Sequence, residues 1–322
     1  MNNTIFCAGT IVVDIITGEV RGAVKPDSGH NTGISSNAGG NALNVALDLS
    51  GLEIAGDNII CCGAIGNDPE GDFLKSTFKK SKINDQSITV DDAGTGKAII
   101  VTFDNGRRGF IVDKGASIHF KSDDLLSKLN KIKPGIFYIG ESPASPDIDG
   151  NLKYILKQAK EMNCINIVDY IILSDSHSGS LFECAPYTDI LHINEYEAKV
   201  VTGQTDIAKG AQFLREKGFP VVFVSEGEKG FVFSYGDTLK RFPVFNVNCI
   251  DATGAGDAFC LGIIYYVLNG GGIPDDLTDL ALFASACGAC AVTETGCTKG
   301  LTLKKAENLL KTQGPEIRDN IC

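Results

Sequence analysis

Short apolar runs alternate with amphipathic stretches along most of the chain. Ile5 to Ile16, Ile59 to Ile65, Ile136 to Ile139, Ile165 to Val168, Ile190 to Ile193 and Val221 to Val224 are rich in branched and aromatic residues, and each predicts a strand. Ala42 to Leu49 places Ala42, Val45, Ala46 and Leu49 on one helical face, and Leu152 to Met162 and Ala208 to Lys217 also predict helices. Strands that are apolar throughout and separated by helices predict an α/β fold whose mostly parallel sheet is covered on both faces.

Two stretches break this rhythm. Thr17 to Asn37 is rich in Gly, Ser and Asn. Thr95 to Asp113 holds two strand-like runs, Lys97 to Phe103 and Gly109 to Val112, around Asp104-Asn105-Gly106, a hairpin signal. Together they predict a small second sheet, a suitable flap for a reaction that must exclude water.

Composition narrows the class. With 43% hydrophobic and 21% charged residues, a chain of 322 residues can bury one large core or two modest ones. A formal net charge of -11 repels phosphate backbones and anionic bilayers, so neither nucleic acid nor membrane is an expected partner. The start has no basic flank before an apolar run, and stretches such as Leu261 to Leu268 are far too short to span a bilayer, so the cytoplasm is the expected location. Eleven scattered cysteines do not form a disulfide framework. Cys287-Gly-Ala-Cys290 lies within Ala284 to Val292, a run of small residues that predicts a tightly packed helix with the thiols as small hydrophobes.

The most informative segment is Asp251-Ala-Thr-Gly-Ala-Gly-Asp-Ala-Phe259. It follows the strand-like run Phe242 to Ile250 and precedes the apolar helical stretch Ala258 to Leu268. Gly254 and Gly256 allow main-chain N–H groups to converge at a helix N-terminus, an anion site favoured by the helix dipole. Asp257 would stand beside the anion, where a carboxylate is costly unless it accepts a proton from an attacking hydroxyl. A dinucleotide fingerprint is weakened because Asp-Ala-Phe259 follows Gly254-Ala-Gly256 without the third glycine. A Walker loop is excluded because Gly96-Lys97 is followed by Ala98. The bland alternative is an ordinary glycine turn entering a helix.

Asp251 to Phe259 resembles the C-terminal signature of the ribokinase-like, or PfkB, carbohydrate kinases, and the resemblance runs over nearly the whole chain. Gly9 to Asp14 resembles the first strand, with an aspartate for sugar hydroxyls. Gly39-Gly40-Asn41-Ala-Leu-Asn44 resembles the N-terminal signature. Cys62 to Asp68 with Gly71 resembles the next strand and turn, and Gly140-Glu141 falls where relatives present an acid near the sugar. Asn194-Glu-Tyr-Glu197 resembles the magnesium-linked N-x-x-E motif. Ser225-Glu-Gly227 with Gly230 resembles the loop beside the nucleotide, and Ala284 to Gly296, with Ser285, the helix and loop flanking the adenine.

The resemblance implies a three-layer α/β/α domain over 1–14, 38–94 and 114–322, with a β lid over 15–37 and 95–113. It implies ATP and Mg²⁺, with Asp257 as base and the amides of Gly254, Ala255, Gly256 and Asp257 as an anion hole. Asp14, Gly39, Gly40, Asn41, Asn44 and Glu141 would hold the acceptor. Asn194, Ser225, Gly227, Gly230 and Ser285 would hold the nucleotide, and Glu197 the magnesium. Asp251 and Thr253 would help hold K⁺, although Cys297-Thr-Lys-Gly300 departs from the serine-ending stretch of many relatives.

The residues alone also allow plainer readings. Asn194 and Glu197 suit a helix cap as well as a mostly hydrated Mg²⁺. Asp14 suits a turn, Gly39-Gly40 a helix entry, and Asn44 simple packing. Gly-Gly-Asn-Ala departs from the lysine-bearing form usual in ribokinases, which leaves a hexose, a keto-sugar acid or a nucleoside as acceptor. Arg107-Arg108 would reach an anionic substrate or sit as a solvated loop tip. Two rivals stand beside the kinase: a non-catalytic sugar- or nucleotide-binding regulator and an NAD(P) dehydrogenase, the latter weakened by the missing glycine. The exposed edges of a two-stretch lid also point to dimerisation through it.

Overall fold

The apolar run from Ile5 to Ile16 is not one strand but two, in different sheets: β1 (Ile5–Gly9) and β2 (Val12–Val20). The chain turns at Thr10, whose amide donates to Asn41 Oδ1 at 3.1 Å instead of to a neighbouring strand. The run from Ile59 to Ile65 divides in the same way into β4 (Ile59–Cys62) and β5 (Ala64–Gly66), and β3 (Ile34–Gly39) lies between these pairs in the chain. The computed structural model describes residues 2–22, 27, 29–52, 54, 58–90, 92–103, 108–141, 145–171 and 178–322.

The remaining strands are β6 (Asn84–Asp85), β7 (Ile88–Val90), β8 (Lys97–Phe103), β9 (Arg108–Asp113), β10 (Ile136–Glu141), β11 (Ile165–Tyr170), β12 (Ile190–Asn194), β13 (Val221–Ser225), β14 (Phe231–Tyr235) and β15 (Thr238–Phe242). The helices are α1 (Asn41–Gly51), α2 (Pro69–Lys80), α3 (Ser122–Ile132), α4 (Pro146–Glu161), α5 (Ser178–Cys184), α6 (Glu195–Thr202), α7 (Ile207–Glu216), α8 (Ala255–Gly270), α9 (Thr278–Ala291) and α10 (Leu303–Asp319).

Nine strands form the main sheet in the order β15-β14-β13-β12-β11-β10-β1-β4-β6, parallel from β13 to β6. Successive side chains of a strand point to opposite faces. Ile5 and Cys7 therefore enter one core, with α1, α2, α8, α9 and α10, while Phe6 and Ala8 enter the other, with α3 to α7. This is the three-layer α/β/α arrangement. The chain passes from β1 outward to β4 on one side and later returns to β10 on the other. β1 and β10 thus flank a topological switch point, where ligands bind beyond the strand ends.

The second sheet has the order β3-β2-β8-β9, with β2 and β8 parallel and the outer pairs antiparallel. Its strands take in Asp14 and Gly39. The Asn105-Gly106 hairpin tip lies outside the described residues, as do Arg107 and the Arg108 side chain.

Phe242 to Ile250 is not a strand. β15 ends at Phe242, Pro243 has no N–H to extend a ladder, and residues 243–250 are irregular. That stretch is apolar because Val244, Phe245 and Val247 line a cavity. Cys287 and Cys290 are buried free thiols in α9. The helix packs so closely on α8 that a Cβ on Gly262 would come within 2.6 Å of Ala284 Cα. Among the described residues, no helix is long and apolar enough to cross a membrane.

Candidate active site

The chemistry-bearing residues gather where α1 and α8 begin, above the ends of β1 and β10 to β13. Gly254 takes φ +80 at the N-cap of α8, a conformation that costs most residues but not glycine. A Cβ there would meet Cys297 O at 2.8 Å. Among the described residues no side chain caps the helix; Ala255 N donates to Ala252 O at 3.4 Å, which leaves the amides of Gly256 and Asp257 available to the cleft.

Asp257 lies in that first turn and accepts from Asn44 Nδ2 at 2.8 Å. Burial pushes its carboxyl up to about 7, and the charges of Asp169 and Asp14 push the same way. Asn44 and His192 oppose them. Asp14 is only 5% exposed and packs so tightly under Gly39 that a Cβ on that glycine would come within 2.1 Å of the carboxylate. Burial raises Asp14 to about 6 against the hydrogen bond from Cys297, whose thiol donates to Asp14 Oδ2 at 3.8 Å. Gly40 caps α1. Asn41 Oδ1 is committed to the amides of Thr10 and Ala42, so any contact to an acceptor falls to Nδ2. The Glu141 side chain lies outside the described residues.

A cavity of about 430 Å³ opens beside the start of α8. Ser225, Gly227, Gly230 and Ser285 line it together with Ala255 and Gly256, on walls that are otherwise mostly apolar. Size and lining suit a flat heterocycle with its polar tail directed at the helix N-terminus. Asn194 is not among the lining residues. It caps α6, with Asn194 Oδ1 accepting from Glu197 N at 3.0 Å and Glu197 Oε2 accepting from Asn194 N at 2.7 Å. The plainer reading of this motif is therefore realised. A role at a metal rests on what Glu197, 4% exposed, adds beyond the cap.

Asp251 ties the entry turn to the loop after α9: Oδ1 accepts from Thr253 N at 2.8 Å and Oδ2 from Gly296 N at 2.9 Å. Thr253 Oγ1 is buried without a hydrogen-bond partner. Such an orphan oxygen among the described residues is one that a bound ion or water can satisfy.

Five further residues meet at the site without a role there in the sequence reading. Asp169 and His192 end adjacent parallel strands and pair through Oδ1 and Nδ1 at 2.7 Å, while Tyr138 Oη donates to Asp169 Oδ2 at 3.2 Å. With Cys260 they form a buried cluster under Asp257 whose ligand atoms lie within 4.8 Å of one another. Polar residues near the ends of otherwise apolar strands carried the signal. Cys297 carried no such signal for its contact with Asp14, which spans 283 positions.

A glycine turn at a helix start, a half-buried carboxylate and an adjoining cavity on an α/β/α sheet suit a phosphotransferase. The family model for pfkB family carbohydrate kinases matches residues 2–304, and the chain belongs to that family. It is a carbohydrate kinase, a phosphotransferase with an alcohol acceptor. A fructokinase of Klebsiella pneumoniae is 27% identical over 317 residues, which cover 94% of this chain and 98% of that one. A ribokinase structure from Giardia lamblia aligns with TM-score 0.82 at 17% identity, covering 95% of this chain and 99% of that one. A fructokinase structure with bound ATP from Xylella fastidiosa aligns with TM-score 0.79 at 21% identity, covering 98% and 100%.

Proposed function

We propose that the protein transfers the γ-phosphoryl group of ATP to a hydroxyl of a sugar, with a ketohexose such as fructose the first acceptor to test. The observation that supports this most is the placement of Asp257. It is a half-buried carboxylate in the first turn of an uncapped helix, hydrogen-bonded to Asn44 and next to both the cavity and Asp14. Its raised pKa near 7 suits a base that takes a proton at physiological pH.

In this reading the adenine occupies the cavity between the 225–230 loop and α9, near Ser285. The phosphates run toward the amides of 254–257, which stabilise charge as the phosphoryl group moves. Asp14, the backbone at Gly39 and Gly40, Asn41 and Asn44 hold the acceptor, and Asp257 takes the proton of the attacking hydroxyl. Glu197 with Asn194 suits a Mg²⁺ that keeps most of its waters; when bound, it would neutralise phosphate charge. Thr253 Oγ1 and the carbonyls around Asp251 suit K⁺. The small sheet acts as a lid, because Asp14 and Gly39 lie in its strands and it borders the acceptor side. The cytoplasm is the proposed location.

Dimerisation through the lid forms part of the same reading. Ile15, Ile99 and Ile111 are in register on neighbouring strands, on the face opposite Asp14, and Ile99 and Ile111 are 37% and 64% exposed. Ile34, 69% exposed, extends that face. Sedimentation should show a dimer that becomes a monomer in the double variant Ile99→Lys, Ile111→Lys; a monomeric wild type removes the idea.

A coupled ADP-release assay over hexoses, pentoses, keto-sugar acids and nucleosides tests the function. Sugar-dependent ADP release is expected. Release with nucleosides alone would move the acceptor class, and binding without any release would favour a regulator.

A further inference from the structure

Helix α1 carries two buried acceptor atoms one turn apart that have no hydrogen-bond partner among the described residues: Asn44 Oδ1 and Asp48 Oδ2. Both residues are 4% exposed. Buried polar atoms are rarely left unpaired, because each orphan costs about 1–3 kcal/mol. Residues at i and i+4 on a helix are neighbours, so the two orphans share one face. As long as both are acceptors, neither can relieve the other. One proton on Asp48 relieves both.

The surroundings favour that proton. The titratable groups that act on Asp48 are Asp257 from α8, Cys287 from α9 and Cys297 from the following loop. None is a cation. An isolated buried carboxylate without a counter-charge is expensive, and such groups neutralise instead. Burial, and then the charge of Asp257, push the Asp48 acid well above its ordinary value.

We infer that Asp48 is a positioning residue for the base: as a neutral acid its hydroxyl donates to Asn44 Oδ1, which fixes the Asn44 amide with Nδ2 toward Asp257. An asparagine side chain has an acceptor end and a donor end, and each partner selects the opposite end. Flipped, Asn44 would present oxygen to the Asp257 carboxylate. A protonated Asp48 accepts no such flip, because its own donor would then face the NH₂ group. A carboxylic acid kept neutral by its site so that it can donate is established enzyme chemistry. This inference rests on the proposed role of Asp257 as base.

The test uses the full chain and the variants Asp48→Asn and Asp48→Ala. A difference infrared spectrum of wild type against Asp48→Asn at neutral pH should show the C=O stretch of a protonated carboxylic acid. Asp48→Ala, which removes the donor, should lower kcat about tenfold with the ATP KM unchanged, and Asp48→Asn, whose NH₂ can donate in its place, should recover it to within about threefold. In the Asp257→Asn background, Asp48→Ala should cost almost nothing more, since its effect passes through that residue. Because the folded acid is raised, wild-type stability falls as pH climbs above the unfolded value near about 4, so Asp48→Asn should gain melting temperature over wild type at pH 8 and none below about pH 4.

Carboxylate bands for Asp48 at neutral pH, or equal kcat in the Ala and Asn variants, overturn the inference. If Asp48→Ala does not fold, the spectrum and the pH-dependent stability of Asp48→Asn decide. The spectrum also separates the two failures. An acid band with normal turnover in Asp257→Asn sinks only the base; no acid band with an inactive Asp257→Asn sinks only Asp48.

Discussion

Asn44 Nδ2 donates to Asp257 Oδ2 at 2.8 Å, joining the first turns of α1 and α8 across 213 positions of sequence. The bond links the two glycine-bearing segments of the chain, 39–44 and 251–259, into one site. It also bears on the ionisation of Asp257, because it is the foremost influence holding that carboxyl down against burial.

The pH dependence follows from two raised acids. In the proposed mechanism Asp257, near 7, and Asp14, near 6, are both ionised, one to take a proton and the other to accept sugar hydroxyls. An acid is neutral below its pKa, so kcat/KM for the sugar should fall as pH drops through 7 and fall more steeply below 6. The two groups interact, so the apparent values belong to the cluster. Asp14→Asn should raise the sugar KM and remove the lower of the two steps. A flat profile from pH 5 to 8 would contradict this.

Gly254→Ala should lower kcat by about tenfold or more, since the site combines positive φ with a carbonyl 2.8 Å from the new Cβ. Circular dichroism separates loss of the turn from loss of the fold: the helical signal should be retained.

Ala289→Trp should fill the cavity by α9 and raise the ATP KM by about tenfold while leaving the sugar KM nearly unchanged. An equal rise in both would mean that the cavity is not a separate nucleotide compartment.

Much of this architecture was legible because parallel strands buried on both faces leave dense apolar runs, as in β10 to β13. The runs failed where two strands abut without a polar break. At half-buried Thr10 with buried Ile11, and at buried Gly63, the chain changes sheets without a run of exposed polar residues, so periodicity alone could not divide 5–16 or 59–65. Residues 243–250 imitate a strand because a ligand cavity demands apolar walls just as a sheet interior does. At the site, main-chain geometry was legible in glycines, and Asp257 in its place after them. The roles of Asp169, His192 and Cys297 were not, since each acts through contacts that form only when distant strands and loops meet, and Asp48 was not, since only burial shows its oxygen to lack a partner.

The most direct test is turnover of Asp257→Asn on the best sugar from the panel, with ATP affinity measured alongside. The account predicts a kcat loss of about 100-fold or more with ATP binding within about threefold of wild type. Near-normal turnover with an intact fold would contradict it.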